Sequence, residues 1–294
     1  MKKIIAIVFI LLFSATVVLA DEVEDNLAGL ANEQVMMTTR SMIQNGIESD
    51  DAIRITQLML QNQFSQQQTL QAQKMLMQAL QSGLPAEPLM NKAHEGMAKK
   101  VESGSVLQAM ENVRSRYAFA YKQAGQLTED PEEIRSLGTL MADSLAAGVA
   151  MGDMELMRAR LQERTQTMER KGEDDLAKET CMTLRNMARL GVSSEAITDV
   201  VSQALGQNYT AQEMEALRES FMYTARTGSP EDKAKAYAKQ MRQDGNAEGL
   251  GSSAAGGAGA SGAEGGTGSG GAGSGSSGDN GGGHGSGGSG GGHN

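Results

Sequence analysis

The chain has 294 residues, a net charge of −10 and a single cysteine, Cys181. One cysteine excludes an intrachain disulfide, so packing alone must stabilise the fold. An acidic chain without a basic cluster is a poor candidate for binding nucleic acid or anionic lipid.

Residues 1–20 have the composition of a cleavable export signal. Lys2 and Lys3 precede an apolar stretch, and small residues ending at Ala20 form a cleavage sequence. The apolar stretch is shorter than the roughly 20 residues of a spanning helix. We therefore expect cleavage, no membrane span in the mature chain, and a periplasmic or extracellular location.

Four junctions of one kind divide the region 21–244, where a helix-like run ends in glycine followed by an aliphatic residue. They are Gly46-Ile47, Gly83-Leu84, Gly148-Val149 and Gly191-Val192, and apolar periodicity resumes at Ala52 or Ile53, Leu89, Met154 and Ile197. Glycine after a helix end adopts the left-handed conformation, and the aliphatic residue packs back on the helix. The pattern predicts a stack of short helices joined by tight turns.

Helix signals are equally clear between these junctions. Thr128–Glu133 combines a capping residue, a first-turn proline (Pro131) and acidic residues, which predicts a helix start. Apolar residues recur at spacings of three and four, and no stretch alternates as a strand would. Strands are therefore not expected.

The two halves of this region are similar in layout. Gly46 to Tyr117 and Gly148 to Phe221 each contain the same order of glycine junctions and helices, ending in an aromatic residue. The fold class predicted is all-α: a tandemly duplicated short-helix repeat, solenoid-like or a compact bundle. The halves are residues 21–127 and 128–244.

Residues 245–294 differ in composition, since 24 of these 50 residues are glycine. With almost no large apolar side chain they cannot offset the entropy of ordering, so a disordered tail that acts as a tether or spacer is expected.

One segment combines helix-end and helix-start residues with regularly spaced charges. Its residues are Gly83-Leu84-Pro85-Ala86-Glu87-Pro88-Leu89, then Lys92, Glu95-Gly96 and Lys99. This stretch of about 20 residues resembles uncharacterised exported bacterial helical proteins with glycine-rich C-terminal tails. The resemblance implies export and a helical fold, and carries no activity. We predict Glu87, Lys92, Glu95 and Lys99 as a partner-binding edge; a plain helix junction with surface ion pairs is the alternative.

A glutamine-rich run from Gln57 to Gln81 is the second candidate surface. Its interleaved leucines and methionines predict two amphipathic helices with a polar, uncharged face. That face could pair with another helix, including one from a second copy of the chain, or could simply be solvated.

Residues for catalysis are scarce. The predicted helical region holds one histidine, His94, and one cysteine, Cys181, which we interpret as a buried small hydrophobe. The carboxylates of Asp50-Asp51 and Glu173–Asp175 fall at predicted helix starts, where they favour the helix dipole. We therefore predict no catalytic site and no enzyme, with a hydrolase that uses an unrecognised carboxylate pair as the alternative.

Methionine is enriched, with 20 residues, including Met151, Met154 and Met157 on one helical edge. Thioethers fill irregular cores or form adaptable surfaces. They also suit copper(I), so copper binding through methionines and the tail residues His284 and His293 is an alternative function. We predict no cofactor and no metal site. The function predicted is a non-enzymatic scaffold that binds a protein partner, with self-association as a further option.

Overall fold

A computed structural model describes residues 22–167 and 173–244, and these residues form twelve helices and no strand. The helices are α1 (22–27), α2 (Glu33–Gln44), α3 (Ser49–Gln61), α4 (Gln66–Gln81), α5 (Glu87–Ala98), α6 (Ser103–Ala124), α7 (Pro131–Ala147), α8 (Met151–Thr167), α9 (Glu173–Arg189), α10 (Ser194–Gly206), α11 (Ala211–Thr224) and α12 (Pro230–Asp244). The all-α prediction is confirmed. The predicted export signal and glycine-rich tail lie outside the described residues.

The helices pack in two rows. Row A contains α2, α4, α6, α7, α9 and α11 in that order, each against the next. Row B contains α1, α3 and α5, then α8, α10 and α12. In the described part, helices that pack extensively are never more than two apart along the chain. This short contact range is typical of a solenoid rather than a closed bundle.

The alternation between rows is interrupted once, where α6 and α7 follow each other within row A. Asp130 caps α7 by accepting hydrogen bonds from the backbone N–H groups of Glu132 (2.8 Å) and Glu133 (3.2 Å), as the sequence predicts. The two helices approach closely because Gly138 of α7 lies against the ring of Tyr121 of α6. A Cβ at Gly138 would lie 2.4 Å from Tyr121 Cδ2.

The four predicted glycine turns are present. Each glycine has a positive φ, between 72° at Gly83 and 121° at Gly148. The N–H of the following apolar residue donates to the carbonyl five residues earlier: Ile47 to Met42 (3.1 Å), Leu84 to Ala79 (2.9 Å), Val149 to Ser144 (3.1 Å) and Val192 to Met187 (3.2 Å). All four apolar residues are buried. All four turns lead from row A to row B.

Three turns in the opposite direction, from row B to row A, have the same bonding without glycine. Gln63 (φ 66°), Lys100 (φ 56°) and Asn208 (φ 64°) occupy the left-handed position. The N–H of the next residue again bonds five residues back, from Phe64 to Met59 (3.0 Å), Val101 to Gly96 (2.9 Å) and Tyr209 to Ala204 (3.1 Å). These three turns could not be predicted from glycine, the residue that marks the other four.

The two halves follow the same row order. The helices α2–α6 and α7–α11 both run A, B, A, B, A, with glycine turns at matching places. The boundary at residues 127 and 128 falls in the loop between α6 and α7. α1 and α12 fall outside this correspondence. The order agrees with a tandem duplication, which stays a prediction.

Most buried side chains form one continuous core between the rows, and a small cluster of Val23, Leu27 and Ile53 joins α1 to α3. Within the described ranges, no helix is both long and apolar enough to cross a membrane.

Candidate functional site

The predicted edge on α5 is an exposed ion-pair network. Glu95 accepts hydrogen bonds from Lys92 Nζ (2.5 Å) and Lys99 Nζ (2.6 Å), at spacings of three and four residues. These bonds lower the pKa of Glu95 to about 2, and the bond from Lys92 has the largest effect. Glu87 lies at the start of the same helix and accepts a weak bond from Asn91 (3.5 Å). The structure thus brings three of the four residues together.

The charges in this network satisfy one another. A partner would have to break bonds between Glu95 and both lysines, or contact only the outer side of Lys99, which is 67% exposed. Exposed ion pairs of this kind contribute little to stability. The network matches the predicted surface ion pairs, and its role as a binding edge stays a prediction.

Several glutamines of the second candidate surface hold the first helices together. Gln57 Nε2 donates to Asn26 O (2.8 Å), and Gln66 Nε2 donates to Leu30 O (2.9 Å). Gln68 completes the capping box of α4 with Ser65. These side chains are structural, so the expected uniform polar face is smaller than the sequence suggests.

Gln73 lies in the core and not on that face. It is fully buried, and its Nε2 donates to the hydroxyls of Thr39 (2.9 Å) and Thr56 (3.1 Å). Its Oε1 is buried without a partner. Its position in the sequence indicates this burial, because Gln73 lies four residues after Thr69 and three before Leu76, on the buried side of α4. Sequence reasoning missed it by treating every glutamine as exposed.

The exposed residues of α4 are Gln67, Gln71, Lys74, Gln78 and the last residue, Gln81. We call the first four of them the glutamine face. Their spacing of four, three and four residues puts them on one side of the helix. Among the described residues the three glutamine amides have no partner. No acidic residue occurs in α4. On the neighbouring row A helix, α6, Gln108 and Asn112 are also exposed and bond to each other (3.1 Å).

The two candidate catalytic residues do not form a nucleophilic pair. Cys181 is buried beside Leu184 and Met187, as predicted, and burial raises the pKa of its thiol to about 12. A thiolate is therefore not available at neutral pH. Burial, followed by the charge of Arg54, lowers the pKa of His94 on α5, so its imidazole is neutral at pH 7.

The predicted helix-start acids are where the sequence placed them. Asp50 and Asp51 lie in the first turn of α3, and α9 begins at Glu173. No cluster of three or more histidine, cysteine, aspartate or glutamate residues suited to a metal ion occurs within the described ranges.

The three methionines on one edge of α8 differ in how far they are buried. Met154 and Met157 are in the core, whereas Met151 is 51% exposed. Core packing accounts for Met154 and Met157 without a metal. The tail histidines of the copper alternative lie outside the described residues.

Comparisons with protein-family models, with curated proteins and with solved structures give no match for this chain.

Proposed function

We propose that the chain is exported and acts as a non-enzymatic helical scaffold that binds a protein partner. Solenoids present extended surfaces built from neighbouring helices, and binding is the usual role of such surfaces. The glutamine face is the observation that carries the proposal. It offers three carboxamides that have no hydrogen-bond partner within the described ranges, on the middle helix of row A's first half.

A carboxamide both donates and accepts hydrogen bonds, as a peptide bond does, so it can pair with the backbone of an extended segment. The face has one charge, Lys74, in a chain with net charge −10. A partner segment can therefore approach it with less desolvation of charge than elsewhere on the surface. The α5 network is the less favourable surface because its charges are already paired.

The test uses affinity capture from the exported fraction, with the purified protein as bait. A partner retained by the wild type should be lost with Gln71→Glu/Gln78→Glu, which puts two charges on the face. The matched control, Glu95→Gln/Lys99→Gln on α5, should retain it. Loss with the α5 variant alone would move the site to α5. Retention of the partner by the Gln71→Glu/Gln78→Glu variant would refute the proposal.

A further inference from the structure

The turn between α2 and α3 contains the dipeptide Asn45-Gly46, which occurs once more in the sequence, as Asn280-Gly281. In such a dipeptide the main-chain nitrogen of glycine readily attacks the side-chain carbonyl carbon of asparagine, because glycine has no side chain to hinder the approach. The new C–N bond closes a five-membered succinimide ring, and the side-chain amide leaves as ammonia. Water then opens the ring to give aspartate or isoaspartate, in which the side-chain carbons become part of the main chain.

Hydrogen bonds in this turn hold both reacting groups. Asn45 is the exposed C-terminal cap of α2, and its Nδ2, the nitrogen that would leave, donates to Ser41 O (2.7 Å). The N–H of Gly46, the attacking group, donates to Ile43 O (3.0 Å). The nitrogen must lose this proton to attack, so the hydrogen bond keeps it in its unreactive form.

The backbone conformation of Asn45 separates the two groups as well. Ring closure needs Asn45 Cβ and Gly46 N to be eclipsed about the Cα–C bond of Asn45. The ψ angle of Asn45 is 6°, so its own main-chain nitrogen nearly eclipses Gly46 N, and Cβ is turned away. Rotation about this bond would break the hydrogen bond from Ile47 N–H to Met42 O (3.1 Å) and withdraw the buried Ile47 from the core. The reaction therefore requires the turn to open.

The turn between α3 and α4 has the same cap without the glycine. Asn62 ends α3 with φ −95° and ψ 30°, close to the −90° and 6° of Asn45, and its Nδ2 donates to Leu58 O at the same 2.7 Å. The residue that follows is Gln63, whose side chain hinders attack by its nitrogen. The two asparagines therefore share the same protection and differ in the reactivity of the residue that follows.

We propose that Asn45 is a deamidation site at which opening of the α2–α3 turn controls the reaction. Local opening of a turn requires less free energy than unfolding of the whole chain, so the folded protein reacts slowly through the open turn. The reaction consumes only water and releases ammonia, and it needs no enzyme. Asn62 opens in the same way and does not react at a comparable rate.

The products weaken the turn in which they form. Either product puts a carboxylate after the last turn of α2, at the negative end of the helix dipole, and removes the amide that donates to Ser41 O. Isoaspartate also lengthens the main chain by one carbon, which displaces Ile47 from its bond with Met42. A chain that has reacted therefore opens this turn more easily than a new one.

Peptide mapping by mass spectrometry, after incubation of the purified protein at neutral pH, measures the three asparagines in one sample. In the folded protein Asn280, in the tail predicted to be disordered, should react first, and Asn45 should react at least about tenfold more slowly. In urea Asn45 should reach the rate of Asn280, whereas Asn62 should stay slow in both conditions. Equal rates at Asn45 and Asn280 in the folded protein would overturn the proposal, and so would equal rates at Asn45 and Asn62 in urea.

Two matched variants distinguish opening of this turn from unfolding of the whole chain. Ile47→Ala and Val192→Ala shorten side chains that are both 5% exposed, at the same position of two glycine turns. Ile47→Ala should speed the reaction of Asn45 at least about tenfold, and Val192→Ala should change it by less than about twofold. Equal acceleration by both variants would show that Asn45 reacts only in the unfolded chain, contrary to the proposal. Asn45→Asp, which reproduces one product, should speed hydrogen exchange at the Ile47 amide, and unchanged exchange would contradict the weakening of the turn.

Discussion

Replacement of Gly138 by alanine tests the contact that joins the two halves. The new Cβ would lie 2.4, 2.8 and 2.9 Å from Cδ2, Cε2 and Cγ of Tyr121. Cγ is close to the backbone, so the ring cannot escape without a change of rotamer. Tyr121 is also held by its hydroxyl, which lies 3.3 Å from Thr139 Oγ1.

Overpacking of this kind costs about 1–3 kcal/mol, and here the upper part of that range applies. Alanine in place of glycine within a helix contributes about 1 kcal/mol in the opposite direction. We therefore expect Gly138→Ala to lower the free energy of unfolding by about 1–2 kcal/mol. The melting temperature should fall by about 2–8 °C for a domain of this size.

Urea unfolding followed by circular dichroism at 222 nm measures the effect. Gly152→Ala is the matched control, because no heavy atom lies within 4 Å of a Cβ there. It should be neutral or stabilising by up to about 1 kcal/mol. In a Tyr121→Ala background, Gly138→Ala should also become neutral or stabilising. If Gly138→Ala and Gly152→Ala have equal stability, the close approach of α6 and α7 is not as described.

Four further outcomes are expected. Gln73→Ala should lower the free energy of unfolding by about 2–4 kcal/mol, because it leaves a cavity. Gln73→Leu should lower it by less than about 1 kcal/mol, because leucine removes the unpaired Oε1 and the hydroxyls of Thr39 and Thr56 keep their backbone acceptors. Urea unfolding of the two variants measures the difference. Gly83→Ala should destabilise by about 1–2 kcal/mol, because φ is 72° there, while Gln63→Gly should stabilise by less than about 1 kcal/mol. Cys181 should react with a thiol reagent only after unfolding, at the unfolding rate, and rapid labelling of the native protein would contradict its burial. The pKa of His94 is lowered from 6.5 in the folded chain, so the His94 imidazole binds a proton more readily in the unfolded chain. The free energy of unfolding should therefore rise with pH from the lowered pKa up to about 6.5. His94→Gln should flatten that rise.

The local features of the fold could be predicted from the sequence because they depend on neighbours along the chain. A glycine turn such as Gly83-Leu84 and a capped start such as Asp130-Pro131 need only a few adjacent residues to form. The one-sided apolar spacing then places the core face of each helix. Helices, their four glycine turns and the burial of Cys181 were therefore predictable.

The candidate surfaces were only partly predictable, since exposure is decided by which helices meet. Gln73 and Gln71 belong to the same polar run, yet α2 and α3 cover the first, and no helix covers the second. Met151 and Met154 differ in the same way.

The sequence by itself determined that the described chain is a stack of short helices, because turn and cap signals act within a few residues. Only the tertiary structure decided that α6 and α7 lie side by side in row A, through the contact of Gly138 with Tyr121. It also decided which helices end the rows and so which side chains remain uncovered. Contacts between residues 17 or more positions apart have no signature in a local pattern, and these contacts decide which side chains remain exposed.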